Sequence, residues 1–179
     1  AASKISDIPK ETPLLSIGSA GIIGSGTMGG GIAMNFANAG IPVLVLDQDE
    51  KNLKRGMGVI EKNYQMMVDR GRITKEQKDM VMGLITPTLS YDDLSDVDIA
   101  VEAVYENLDL KQEIFKSLDT VTKDHAILAS NTSGLDIDAI AASTNRPEKV
   151  VGTHFFSPAN VMRLLEVVRG KDSSDETMA

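Results

Sequence analysis

The sequence predicts an α/β fold, a mostly parallel sheet with helices on both faces, and three observations carry that expectation. Short apolar runs alternate with segments of helical spacing along nearly the whole chain. The stretch from Ala20 to Asp49 runs strand, glycine turn, helix, strand, acid. Between Glu50 and about residue 83, two further helical patterns form a hairpin where a plain doubly wound sheet carries a single crossover.

The glycine turn organises the rest. An apolar run, Ala20 to Ile23, leads into Gly24-Ser25-Gly26-Thr27-Met28-Gly29, and an apolar-periodic segment follows up to Gly40. Gly24 permits a tight turn, Gly26 lets a backbone close on a pyrophosphate, and Gly29 lets the helix pack on the strand. The helix N-terminus offers free N–H groups to the anion. A second run, Val43 to Leu46, ends in Asp47, 18 residues after Gly29, where a carboxylate accepts hydrogen bonds from both hydroxyls of a ribose. A glycine motif alone is weak evidence, since structural glycine turns are common. Here strand, helix and acid all stand in place, so the cleft is expected to take a dinucleotide. Asp47 followed by Gln48, with no arginine, favours NAD over NADP. Gly30 and Gly31 lie inside the helix at about 1 kcal/mol each relative to alanine, which calls for a close approach of backbone or cofactor.

Beyond Asp47, Leu53, Met57, Ile60, Tyr64 and Met67 form one helical stripe. Arg70-Gly71-Arg72 ends it, and Thr74-Lys-Glu-Gln77 is a capping-box pattern opening a short helix to about Met82. Further strands are expected at Leu84–Thr88, Asp98–Ala103, Ala126–Ala129, Val150–Phe155 and Leu164–Arg169, with helices over Leu108–Val121 and about Asp136–Ala142. Residues 1–16 carry two prolines and no period, and so read as a leader or linker before a domain spanning 17–170. Ser173-Ser-Asp-Glu176 has the pattern of a helix start, which makes 171–179 the expected beginning of a truncated helical domain.

Composition narrows the partners. With 179 residues the chain can bury a sizeable core, and 42% hydrophobic with 25% charged content suits a globular domain. A net charge of −8 argues against nucleic acid, which needs a basic face. With no cysteine, disulfides, thiolate catalysis and thiolate metal sites are excluded, and no metal site is expected. No apolar run approaches the ~20 residues of a membrane span.

In an open α/β sheet, ligands lie beyond the carboxyl ends of the strands. Asp47, the Glu102/Glu106 pair, Ser133 and His154 all fall there. His154, in GTHFFSP, is either a core imidazole beside Phe155 and Phe156 or the base that takes a hydroxyl proton as a hydride leaves. For the second role it needs an acid to fix its tautomer. Glu166, inside LLEVV, is either that acid on the buried side or a solvated carboxylate on an edge strand. Ser133, in SNTSG, is a turn residue or a donor to a substrate oxygen. Glu106 begins a helix or borders the cofactor pocket, with Lys111 as partner or as donor to a cofactor hydroxyl. Lys51, Lys54, Arg55, Lys62, Arg70 and Arg72 make the hairpin basic, as a solvated face or as a patch for a phosphorylated substrate.

Taken together, GIIGSGTMGGGIA, LDQD, VEAVYENLDLKQEIF, ASNTSGL and HFFSPANVMRLLEVV resemble the NAD-binding domain of 3-hydroxyacyl-CoA dehydrogenases, in order from about Ile17 to Arg169. The resemblance implies a Rossmann-like domain with an inserted helical hairpin, followed by an all-helical domain that dimerises and completes the site. It implies NAD-dependent oxidation of L-3-hydroxyacyl-CoA in fatty-acid β-oxidation, with His154 as base, Glu166 as its orienting partner and Ser133 on the substrate oxygen. Gly24, Gly26, Thr27, Met28, Gly29, Asp47, Gln48, Glu106, Lys111, Ser133 and Ser157 would surround the cofactor, and the hairpin would hold coenzyme A. Single-function members read HFFNP, whereas this chain has Ser157 in the asparagine position. In that it is similar to multifunctional β-oxidation enzymes, where an enoyl-CoA hydratase domain precedes this one in a cytoplasmic (bacterial) or peroxisomal protein. A dehydrogenase of another 3-hydroxy acid, or a non-catalytic NAD-binding module, are the competing expectations.

Overall fold

The computed structural model describes residues 7–179, and part of the expected leader, residues 1–6, lies outside them. Seven strands form one sheet: β1 (Ala20–Ile23), β2 (Val43–Leu46), β3 (Ile85–Thr88), β4 (Ile99–Glu102), β5 (Ile127–Ser130), β6 (Val150–Phe155) and β7 (Leu165–Arg169). Their order is β3-β2-β1-β4-β5-β6-β7, all parallel except β7, which runs antiparallel to β6. The order reverses between β1 and β4, and the crevice at that switch point is where an open α/β sheet takes its ligand.

Strand side chains alternate between two cores. Ala20, Ile22, Val43, Val45, Val101, Ile127, Ala129 and Val151 face α1 (Thr27–Asn38) and the hairpin, α2 (Glu50–Asp69) and α3 (Lys75–Met82). Ile23, Leu46, Ala100, Leu128 and Val150 face α4 (Leu108–Val121) and α5 (Ile137–Ala141). This period of two with both faces apolar is what a parallel sheet covered on both sides requires. On α2, Leu53, Ile60 and Tyr64 are buried and Met57 and Met67 pack beside them, so the predicted stripe is the face that docks on α1.

Local chemistry sets the helix ends. Thr74 and Gln77 form the predicted capping box: Gln77 N–H donates to Thr74 Oγ1 at 3.2 Å and Thr74 N–H donates to Gln77 Oε1 at 2.8 Å. Asn107 caps α4 by accepting from Leu110 N–H at 2.9 Å. The last helix, α6 (Asp175–Met178), starts one residue later than the sequence pattern suggests. Ser174 is its cap, accepting from Thr177 N–H, while the Ser173 hydroxyl is held by the Val150 carbonyl at 2.6 Å. Within the expected leader, residues 7–16 form no helix or strand, yet Ile8 and Leu15 pack against the core.

Candidate active site

At the switch point the chain leaves β1 through Gly24, whose φ of +101° belongs to glycine, and a Cβ there would stand 2.8 Å from the Ala103 carbonyl oxygen. Gly29 is packed so closely that a Cβ would lie 1.8 Å from the Gly24 carbonyl oxygen. Gly26 is the N-cap of α1 and has open space where a side chain would be. No side chain caps that helix, so its first N–H groups face the crevice. These features fit the pyrophosphate of a dinucleotide: bare donors, a positive helix end and no side chain in the way. Thr27 is exposed beside them, whereas Met28 packs against the core from half-buried cover and so lends structure to the turn.

Asp47 and Gln48 line the same cleft, about 580 Å³, with Asn52, Arg55, Val104 and Tyr105. Asp47 Oδ2 accepts from the Ser25 amide at 3.0 Å and the Ser25 hydroxyl at 2.6 Å, and Oδ1 accepts from the Asp49 amide at 3.2 Å. Partial burial alone would raise the Asp47 pKa. The Ser25 bonds and the amides of Asp49 and Gln48 outweigh it and hold the carboxyl below its ordinary value.

A buried ionic cluster lies beyond β4. Glu102 and Lys111 have no exposed side-chain surface, and Lys111 Nζ sits 2.7 and 2.8 Å from the two Glu102 oxygens and 3.2 Å from Glu106 Oε2. Glu102 also accepts from Val104 N–H and from the Ser130 hydroxyl, both at 2.7 Å. Glu106 Oε1 accepts from the Thr132 hydroxyl and from Ser133 N–H. Burial pushes the Glu106 pKa up, but Thr132, Lys111 and the Ser133 amide together bring it below the ordinary value. This arrangement decides between the two readings of Lys111 in favour of pairing with Glu106. Lys111 does not face the cleft, because its ammonium is enclosed by Glu102, Glu106 and, at 3.5 Å, the Asn131 carbonyl. It anchors Glu106, which alone of the three is part exposed at 39%.

His154 and Glu166 are direct cross-strand partners in the β6–β7 register. His154 Nδ1 lies 2.8 Å from Glu166 Oε2, with side chains 25% and 55% exposed. Glu166 therefore sits on the exposed edge strand and yet pairs with the imidazole, which joins two readings that the sequence had set apart. The Phe156 ring flanks His154 at 4.5 Å. Asn131 ties the two halves of the site together: its Oδ1 accepts from Phe155 N–H at 3.1 Å, next to His154, and its chain leads to Thr132 and Ser133. Ser133 and Ser157 are exposed, and among the described residues neither hydroxyl has a hydrogen-bond partner. A second, larger hollow of about 1000 Å³ opens between α2 and the loop after β6. Arg55, Arg70 and Arg72 of the hairpin line it, together with Arg163, while Lys51, Lys54 and Lys62 do not.

Sequence reasoning missed Ser25, Asn131, Thr132 and Gly56. Gly56 left a signal, since a glycine inside a long helix is costly. A Cβ there would stand 2.2 Å from the Ser25 carbonyl oxygen, so α2 rides directly on the glycine turn. For Gly31 the close approach is backbone: a Cβ would meet Ala159 Cβ at 3.0 Å and Asn160 N at 3.1 Å. Gly30 would meet only the Ile60 side chain, at an ordinary 3.4 Å.

A bare helix terminus, a strand-end acid and a histidine–carboxylate pair at one end of the sheet define a dinucleotide-binding domain of the dehydrogenase kind. Residues 19–179 match the 3-hydroxyacyl-CoA dehydrogenase NAD-binding domain, and the chain belongs to that family. It is 44% identical over 163 residues to the fatty acid oxidation complex subunit alpha of Psychrobacter cryohalolentis, a match covering 91% of this chain and 23% of that protein. It is likewise 44% identical over 165 residues to the peroxisomal bifunctional enzyme of Cavia porcellus, with 91% and 22% covered. The crystal structure of (S)-3-hydroxybutyryl-CoA dehydrogenase from Ralstonia eutropha superposes with a TM-score of 0.88 at 38% identity, over 90% of this chain and 57% of that one. The chain thus spans under a quarter of the length of these two curated relatives.

Proposed function

We propose that this chain is the cofactor-binding part of an enzyme that oxidises the 3-hydroxyl of L-3-hydroxyacyl-CoA to a ketone in fatty-acid β-oxidation. The observation that carries the reading is the 2.8 Å contact between His154 Nδ1 and Glu166 on adjacent strands. A carboxylate on Nδ1 requires the proton there, which leaves the Nε2 lone pair free to accept one from the substrate hydroxyl. Glu166 then steadies the imidazolium that forms. The unpartnered Ser133 hydroxyl donates to the substrate oxygen, and Glu106 holds the Ser133 amide so that the loop keeps its position. NAD+, when bound along the glycine turn, supplies the hydride acceptor.

Arg55, Arg70, Arg72 and Arg163 give the larger hollow the charge to hold the phosphates of coenzyme A. The helical start at 171–179 leads, on this reading, into a helical domain that covers that hollow. On the same reading an enoyl-CoA hydratase domain precedes the leader in a bacterial cytoplasmic or peroxisomal protein; in support, the chain covers only 23% and 22% of two relatives, one of them a peroxisomal bifunctional enzyme. The test is His154→Gln in a chain extended through its next domain, assayed with 3-hydroxybutyryl-CoA. Turnover is expected to fall about 10²–10⁴-fold with NADH affinity kept. Turnover at the parent rate would move the proton acceptor elsewhere.

A further inference from the structure

The cofactor acid does not stand alone. Ser25 is 4% exposed, and its hydroxyl and amide both bind Asp47 Oδ2 while the Asp49 amide takes Oδ1. Three donors fix the carboxylate plane and leave one lone pair, on Oδ1, for the cleft. Behind Ser25 stands Gly56 of α2, where a Cβ would meet the Ser25 carbonyl oxygen at 2.2 Å, Cβ at 2.7 Å and Oγ at 2.9 Å. The serine cannot retreat from Asp47 without entering the helix. The same cleft also holds a cation that sequence adjacency does not reveal: Arg55, the neighbour of Gly56, whose Nη2 rests on Asn52 Oδ1 at 3.1 Å. An arginine there is the usual partner of a ribose 2′-phosphate.

We infer that Ser25, braced by Gly56, is a specificity-positioning residue: it keeps Asp47 aimed at the ribose so that Arg55 cannot recruit a 2′-phosphate. This rests on the NAD assignment and adds that the preference is enforced by the hairpin helix through one hydroxyl. If that hydroxyl is removed, the carboxylate can rotate away from the ribose and leave Arg55 free to take a 2′-phosphate. Its repulsion of a 2′-phosphate then weakens and its grip on the ribose hydroxyls slackens. A hydrogen bond to a charged group controls about tenfold or more in such a balance.

The experiment titrates NADH and NADPH into the chain by nicotinamide fluorescence, which has no tryptophan background here. Ser25→Ala is expected to lower the preference for NADH over NADPH about tenfold or more. Gly56→Ala, which leaves both Ser25 and Asp47 chemically intact, should move the ratio the same way. Adding Arg55→Gln to Ser25→Ala should remove the gained NADPH affinity. Circular dichroism checks that each variant is folded, and either single variant suffices if the other is not. An unchanged ratio in folded Ser25→Ala or Gly56→Ala overturns the inference while leaving NAD binding intact. A parent chain that binds neither nucleotide overturns the cofactor assignment itself, and the inference with it.

Discussion

Replacing Lys111 by methionine removes the cation from a cluster closed off from bulk solvent. Lys111 and Glu102 are both fully buried, and the ammonium touches both Glu102 oxygens and one of Glu106. In Lys111→Met, Glu102 keeps only the Val104 amide and the Ser130 hydroxyl. Breaking one side of a buried ion pair costs about 3–5 kcal/mol, because the remaining charge stays desolvated. With a urea m-value of about 2 kcal/mol/M, the midpoint should fall by roughly 2 M. A domain with about 5–15 kcal/mol of stability remains folded enough to measure. The double variant Glu102→Gln/Lys111→Met should recover at least half of the loss, since it removes the charge and keeps an acceptor for Val104 N–H. The assay is urea unfolding of the three proteins at pH 7, followed by far-UV circular dichroism. A single-variant loss below about 1 kcal/mol, the level of an exposed pair, would refute the reasoning. So would a double variant no more stable than the single one.

Other expected outcomes are as direct. Because the folded Asp47 pKa lies below its ordinary value, affinity for ADP-ribose should hold as pH falls to about 4 and decline only below that. Calorimetric titration from pH 7 to 3.5 checks it, and a decline centred above 5 would deny that Ser25 keeps Asp47 ionised. For stability the sign is the same. Glu106 and Asp47 both have depressed folded values, so their contribution is present above their unfolded values near 4 and is lost as pH falls through the folded ones. Gly29→Ala should cost about 3 kcal/mol and NADH binding, since the added carbon would lie 1.8 Å from a carbonyl oxygen and only backbone movement relieves it. Wild-type melting and NADH affinity in that variant would refute the close packing of Gly29 on Gly24. The chain alone should bind NADH yet oxidise 3-hydroxybutyryl-CoA far more slowly than a form extended through the next domain. Equal rates would make the site self-sufficient.

The strands, the helices and the cofactor turn were legible in the sequence because each is written in neighbouring residues. Glycine spacing states where backbone must approach backbone. Apolar periods of two and of 3.6 name the buried faces, and Thr74 with Gln77 states where a helix begins. The end of the chain shows how fine that resolution is: two adjacent serines offer the same cap, and a carbonyl on β6 decides which is used. The histidine and the carboxylate could be named as candidates, but their union depends on β7 running antiparallel to β6 in a register that sets residue 154 opposite 166. No local pattern encodes that register, since Glu166 lies on an exposed strand whose sequence alone permits either face. Which of the two readings of Lys111 holds was undecided for the same reason. A lysine in the first turn of a helix is ordinarily solvated, and only the packing of α4 over the end of β4 sets it against Glu102. Ser25, Gly56 and Arg55 came together just as invisibly, because the hairpin's angle on the glycine turn is a tertiary fact. The sequence by itself determined the elements and the cofactor class, through short-range spacing. Tertiary structure decided which charges are buried, which are paired and which face the cleft, because desolvation and ion pairing depend on what lies across the fold.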